Sequence, residues 1–294
     1  MKAMLRELRR DAPEKSARVI FLLSALTAII AVGLICIFLF GNGITAIRKI
    51  GLGDFLLNSD WSPRDQPPSF GILAMVVGSL YITIGALLFG APIGICTAIF
   101  LARFCPRWLY RFLKPAAELL AGIPSVVYGF FGMVVIVPWV RTSFGGNGSS
   151  ILSASLLLAL MVLPTIINIA EAALRAVPEE IYEGAIALGA SHERAVFNTV
   201  LPAAKSGINA AIVLGVGRVI GETMAVNMVA GNQALLRAPW DFLRGVRTLT
   251  ANVVIEMGYA EGLHREALIA TGMMLFVFIL LNNLLFSRLN RRTM

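Results

Sequence analysis

The chain has 294 residues, 57% of them hydrophobic and only 14% charged, with a mean hydropathy of +0.80. Soluble domains carry about 25% charged residues, so this composition excludes a soluble globular protein and describes one embedded in a bilayer. The formal charge of +8 does not make a nucleic-acid binder, because Lys and Arg cluster in short loops beside apolar runs rather than along one stripe.

In chain order, six apolar runs of spanning length are predicted, at about 19–40, 72–102, 119–140, 151–173, 207–231 and 267–287. Residues 1–18 read as a basic cytoplasmic tail, and 19–71 as a first span with its external loop. The run from Val19 to Phe40 is too long for a signal-peptide core and no cleavage site follows it, so it is read as an uncleaved span. The second run is overlong, carries Gly90, Pro92 and Gly94, and is expected to kink or to extend beyond the bilayer. The third begins at a break around Gly122, Pro124 and Ser125. That break is either a helix N-terminus with Pro124 in its first turn or irregular backbone near a cavity. Pro164 and Asn168 predict a kink in the fourth. Cys36, Cys96 and Cys105 are too scattered for a disulfide framework, and His192 and His264 are isolated, so no metal site is expected.

Sixteen Lys and Arg residues fall on the side of the two termini and eight on the other, with Arg218 inside the membrane. The positive-inside rule then puts both termini in the cytoplasm. A polar connection at 174–206 lies inside, while 41–71, the turn at 144–150 and 232–266 lie outside. Trp61, Trp240, Phe242 and Arg244 lie in these outer loops, where Trp at a membrane margin reads as an interfacial anchor.

The fifth run holds the most informative pattern. From Ile208 to Gly231 its only charges are Arg218 and Glu222, each costing roughly 2.5–3.5 kcal/mol at a helix centre. On a continuous helix they share one face at i and i+4. Such a pair is either an internal salt bridge that makes the helix insertable or part of a permeation site. Gly215, Gly217 and Gly221 beside them either allow close helix packing or soften the helix.

The inner connection reads as two short helices joined at Gly189, the first opened by Pro178 and the second running from about Ser191 to Val200 before Pro202. Glu183, Ala185, Gly189, Leu201 and Pro202 fit the spacing of the E-A-A-x3-G-x9-I-x-L-P motif, with Gly184 and Thr199 as departures. The chain thereby resembles the permease subunits of binding-protein-dependent ABC importers, in which this loop transmits movement from a cytoplasmic ATPase. The segments at 70–102, 118–132 and 217–232, the last containing GETMAV, are similar to the phosphate-specific permeases and to one of their two homologous permease subunits.

The resemblance implies an all-α, six-span membrane domain of the type I ABC importer permease fold, covering 72–294. It implies a multi-pass protein of the cytoplasmic (inner) membrane of a prokaryote. The expected partners are a second, homologous permease, two cytoplasmic ATP-binding subunits and an extracytoplasmic phosphate-binding protein, whose contact is the second use the resemblance implies for Trp61, Trp240, Phe242 and Arg244. No catalytic residue or cofactor is expected in this chain. It lacks any Gly-Lys pair and hence a phosphate loop, so ATP is used by a partner subunit.

In the expected relay Glu222 holds Arg218 at rest, phosphate competes for the guanidinium, and Glu222 then either accepts a hydrogen bond from the protonated anion or repels it as it departs, with Thr223 beside it in the pathway. Two other readings share the architecture: an importer for another oxyanion such as sulfate or molybdate, and a secondary anion carrier. An intramembrane enzyme is excluded by the lack of His-Glu-x-x-His, Gly-x-Ser-x-Gly or paired intramembrane aspartates.

Overall fold

A computed structural model of the chain describes residues 2–291, apart from the side chains of 2–16, 285–287 and 289–291. The basic side chains placed at 2–15, at Arg291 and at Arg292 in the topology count therefore lie outside the described side chains.

Helix α1 (Lys2–Ile50) passes without interruption through the expected tail boundary at 18 and the expected span end at 40. Its apolar stretch, Ala17–Ile50, has 34 residues and is about 51 Å long at 1.5 Å per residue. That exceeds the ~30 Å hydrocarbon core. Nothing in IFLFGNGITAIRKI stops a helix before Gly51, whose φ of +94° does. α2 (Leu52–Leu57) and a two-stranded hairpin, β1 (Trp61–Ser62) with β2 (Ser69–Phe70), follow. This end of the bundle is the hairpin end.

α3 (Leu73–Ile99) continues through Pro92 and ends in a π-helical turn, Phe100–Phe104, so Leu73–Phe104 is one span without a sharp bend. At 32 residues, about 48 Å, it is longer than the hydrocarbon core, and its glycines are contact positions. A side chain on Gly85 would collide with the Ser155 hydroxyl; one on Gly90 would meet Val162 at 2.8 Å, and one on Gly94 would meet Ile166 at 2.9 Å. These glycines seat α3 against α7 (Ile151–Arg175), the most extensive helix contact in the molecule.

Between these two, α4 (Arg107–Gly122) is amphipathic and ends at extended Ile123. α5 (Ser125–Phe131), a π-helical turn at Gly132–Ile136 and α6 (Val137–Phe144) form the third span, which starts at 125 rather than 119. Pro124 stands just before the first helical residue. α7 opens on Ser150, whose hydroxyl accepts the Ser153 amide, and Pro164 stays within the helix.

The inner connection folds as expected into a knob. α8 (Glu179–Ala187) is followed by Gly189 at φ +88°, then by α9 (His192–Ala195), a π-helical turn (Val196–Val200) and α10 (Leu201–Ala203). Pro202, expected to end the helix, sits inside that stretch. The wider turn before it tolerates the residue's missing N–H. After Ala204 the chain bends by 67° into α11 (Lys205–Gly221).

α11 stops at Gly221, and α12 (Met224–Val229) follows. α13 (Leu249–Glu256) and α14 (Gly262–Arg291) complete the bundle. Among the described residues five helices are long and apolar enough to cross a membrane, or six if the pair bent around Ala204 counts as one span. The core joins α3, α5, α7 and α12 through Ile82, Leu157, Val162 and Val226. A second cluster packs Ala46, Phe55, Trp61 and Phe70 on Leu249, Leu268 and Ala270, so the stretch from Ala46 to Phe70 shares a core with the C-terminal helices.

Candidate functional site

The run expected to carry Arg218 and Glu222 on one helical face is broken between them. Three glycines within seven residues weaken α11, and at Glu222 the backbone is extended (φ −72°, ψ 127°). The freed polar groups find partners, as irregular backbone at membrane depth must. The Glu222 carbonyl accepts from the Thr250 hydroxyl at 3.3 Å, and the Glu222 carboxylate accepts the Ala225 amide of α12 at 3.2 Å. Thr223 leads into α12, its carbonyl accepting the Asn227 amide, and its hydroxyl turns back to the Gly221 carbonyl at 3.3 Å.

Arg218, on the last turn of α11, is exposed and donates to the Thr165 hydroxyl of α7 at 3.0 Å. Among the described residues no ion pair joins it to Glu222, so the expected resting salt bridge is replaced by two separate attachments. The cause is the break, which turns the glutamate toward the short helix that follows.

The glycines divide. Gly215 packs on α7, where an added Cβ would stand 3.1 Å from Val162 and 3.3 Å from Ile166. Gly217 and Gly221 face open space. The close-packing reading therefore holds within this chain for Gly215 alone.

A second break lies beside the first. α4 and α5 are separated at Ile123–Pro124, and the Tyr128 hydroxyl donates back across the gap to the Leu120 carbonyl at 2.9 Å. A Cβ on Gly129 would reach Ala225 Cα at 3.0 Å, which places α5 directly on α12. Discontinuous helices whose ends converge are where transporters build their substrate sites.

At the knob, Glu183 and Ala185 lie on α8 and Gly189 closes it, accepting the turn through Gly189 N–H to Ile186 C=O (2.9 Å) and Ala190 N–H to Ala185 C=O (3.1 Å). Leu201 packs partly into the core below, while Pro202 is exposed. The sequence reading missed Leu188, an apolar side chain 91% exposed at the tip. Tyr182 bonds to His192 Nδ1 at 2.9 Å, fixing α8 to α9. Arg103, from the end of α3, donates to Glu179 at 2.8 Å and to the Leu174 carbonyl at 3.2 Å. The knob is thus bound to the ends of α3 and α7.

Two further charged clusters were not foreseen. Glu171, only 2% exposed near the end of α7, accepts from Lys114, Arg175 and Tyr110, each at 2.8 Å. Burial first, and then this carboxylate, raises the Tyr110 hydroxyl above its ordinary range. Lys114 also reaches Asn168 at 2.8 Å, which gives that residue a side-chain partner on α4.

At the hairpin end Glu256, 6% exposed, accepts from Arg247 (2.6 Å), Trp61 (2.8 Å) and His264 (2.9 Å). Trp61, 9% exposed, is an internal strut rather than a lipid anchor or a partner contact. Trp240, at 76%, keeps both readings open. Among the described residues no group of His, Cys, Asp and Glu could hold a metal ion.

Residues 90–294 match the family described as the binding-protein-dependent transport system inner membrane component. The chain belongs to that family. Over 95% of its length it is 37% identical to the probable ABC transporter permease protein YqgH of Bacillus subtilis, covering 93% of that protein. It is 33% identical to the phosphate transport system permease protein PstC of Mesorhizobium japonicum, over 88% of this chain and 84% of that one. A bacterial alginate ABC transporter, solved in complex with an alginate pentasaccharide-bound periplasmic protein, has the same fold at a TM-score of 0.63. That match covers 98% of this chain and 96% of the other at 15% identity. The chain is therefore a multi-pass ABC importer permease, a transport subunit.

Proposed function

We propose that this permease forms half of the translocation pathway of an ATP-driven importer of inorganic phosphate. The observation that carries the proposal is Arg218, a guanidinium held at the end of a broken membrane helix by one neutral hydroxyl, on a face left open by Gly217 and Gly221. A guanidinium stays charged at any relevant pH and matches tetrahedral oxyanions with a planar donor set. Because Thr165 is its only partner among the described residues, an arriving anion displaces a hydrogen bond and not an ion pair. The relative named as a phosphate transport permease supports phosphate within this class.

Glu222 and Thr223 sit across the break from Arg218 and supply selectivity. A carboxylate accepts a hydrogen bond from a protonated phosphate, whereas sulfate at neutral pH has no proton to offer. The open face of α11 requires a counterpart, and a second, homologous permease fills it. The knob end faces the cytoplasm, where two ATP-binding subunits receive Leu188, Glu183 and Ala185 around the Gly189 turn; they use ATP, and this chain holds no cofactor of its own. The hairpin end faces outward, toward a soluble phosphate-binding protein. Leu201 and Pro202 lie on the path from the knob into α11, so movement there reaches Arg218.

The test is ATP-dependent uptake of labelled phosphate by the reconstituted complex, with Arg218→Gln compared against wild type and sulfate as competitor. Loss of uptake in a correctly assembled variant, without sulfate competition in wild type, is the expected result. Normal uptake by the variant refutes the role of Arg218, and strong sulfate competition moves the substrate to oxyanions in general.

A further inference from the structure

At the hairpin end a cavity of about 550 Å³ lies between the Gly145–Ser150 turn and the segment that runs from α12 to α13. Its polar lining comes from Asn147, Ser149, Gln233 and Arg244, and its walls are kept thin by Gly231 and Gly245. Gly245 and Gly231 approach so closely that a Cβ on either would come within 3.2 Å of the other's backbone. No carboxylate lines the space.

Arg244 is exposed, and among the described residues its guanidinium takes no hydrogen bond and no ion pair. The amides that open α7 are not available to an anion. Ile151 and Leu152 donate to the carbonyls of Arg244 and Phe242 at 3.0 and 2.9 Å, and Ser153 donates to Ser150. The positive character of the cavity therefore comes from the side chains, from Arg244 in its lining and from Arg237 behind it, which donates to the Gly245 carbonyl at 3.5 Å. Arg237 uses up the Gln233 amide oxygen, which leaves the Gln233 NH2 group as a donor. Asn147 and Ser149 add neutral donors. A free guanidinium with amide and hydroxyl donors around a roomy, carboxylate-free space is suited to a hydrated inorganic oxyanion.

We infer that this cavity is an outer oxyanion-binding station at the mouth of the pathway, distinct from the Arg218 site. Ser149 stands two residues before the start of α7, and Thr165 lies fourteen residues beyond Ile151 on that helix. At 1.5 Å per residue the two stations are separated by about 21 Å along α7. An anion released at the outer face meets Arg244 first and Arg218 after crossing most of the membrane. This ordering rests on the proposed function, while occupancy of the Arg244 cavity does not.

The assay is arginine footprinting of the assembled wild-type complex in nanodiscs, without the soluble binding protein. A phenylglyoxal reagent is applied in phosphate, sulfate or chloride at equal ionic strength, and modification is read peptide by peptide by mass spectrometry. Arg265, exposed at the same end, serves as the control. Phosphate and sulfate are expected to slow modification of Arg244 at least threefold relative to chloride and to leave Arg265 unchanged. Equal rates in the three salts overturn the inference. So does protection that arises only when the binding protein is added, because the cavity then receives a docked protein. An Arg218→Gln complex that transports normally would remove the deep station while leaving this footprint intact, so the two failures are separable.

Discussion

Replacing Glu256 by glutamine removes the one charge that Arg247, His264 and Trp61 share. The carboxylate offers two oxygens to three donors, whereas an amide offers one oxygen and turns a donor against another donor. Breaking a buried pair costs about 3–5 kcal/mol. Here Arg247 keeps the Asn252 side chain and the Asn232 carbonyl as acceptors, both at 3.0 Å, which places the cost at the lower end, near 3 kcal/mol. For a chain of this size each kcal/mol moves the melting point by about 2–4 °C, so the assembled complex should melt about 6–12 °C lower. Trp61→Phe removes only a neutral donor, worth about 1 kcal/mol, and should shift the midpoint by about 2–4 °C. A thermal melt of both variants checks the order. If Glu256→Gln shifts the midpoint by less than about 2 °C, or less than Trp61→Phe does, packing rather than charge holds the hairpin end together.

Leu188→Asp should leave permease stability within about 0.5 kcal/mol, as for an exposed site. It should nevertheless lower uptake at least about tenfold, because a groove built for leucine would have to bury an unpaired carboxylate; transport and melting measured together test both halves. Gly85→Val should destabilise the α3–α7 contact by about 1–3 kcal/mol or prevent assembly, seen as loss of the monodisperse complex. Gly217→Ala should melt at or above wild type, since it gains up to about 1 kcal/mol of helix propensity in open space. Gly215→Leu should melt lower, pressed against Val162 and Ile166. Thr165→Val frees Arg218 without changing its charge, and uptake should persist with an altered half-saturating phosphate concentration, whereas Arg218→Gln abolishes it.

Much of the architecture was legible in the chain because length and polarity decide it. The spans, the knob at 174–206 and the importer motif follow from apolar run length, glycine placement and spacing. What was hidden depends on partners far along the chain. The break at Glu222 interrupts an apolar run that hydropathy reads as one helix. It is completed by Thr250, 28 residues away. The three glycines were its only local sign, and they also suit packing, which is what Gly215 does. Trp61 was read as a surface residue because Glu256 lies 195 positions later. Thr165 follows the conspicuous Pro164, yet a threonine in a span carries no mark that it faces an arginine. The glycines around Pro92 looked like loose points in a long span, but they accept side chains of α7 that the sequence places about seventy residues later.

The 67° bend at Ala204 makes the knob and α11 the two arms of a crank. Arg218 lies thirteen residues beyond Lys205, so it sits about 20 Å out along the second arm. A swing of only about 5° at the bend displaces it sideways by about 1.7 Å. The bond to Thr165 is 3.0 Å long, and hydrogen bonds of this kind fail beyond about 3.5 Å. Only a swing directed away from Thr165 would carry the bond past that limit, and it would also slide α11 over α7 at Gly215, so release of the guanidinium and a shift at that helix contact would come as one event.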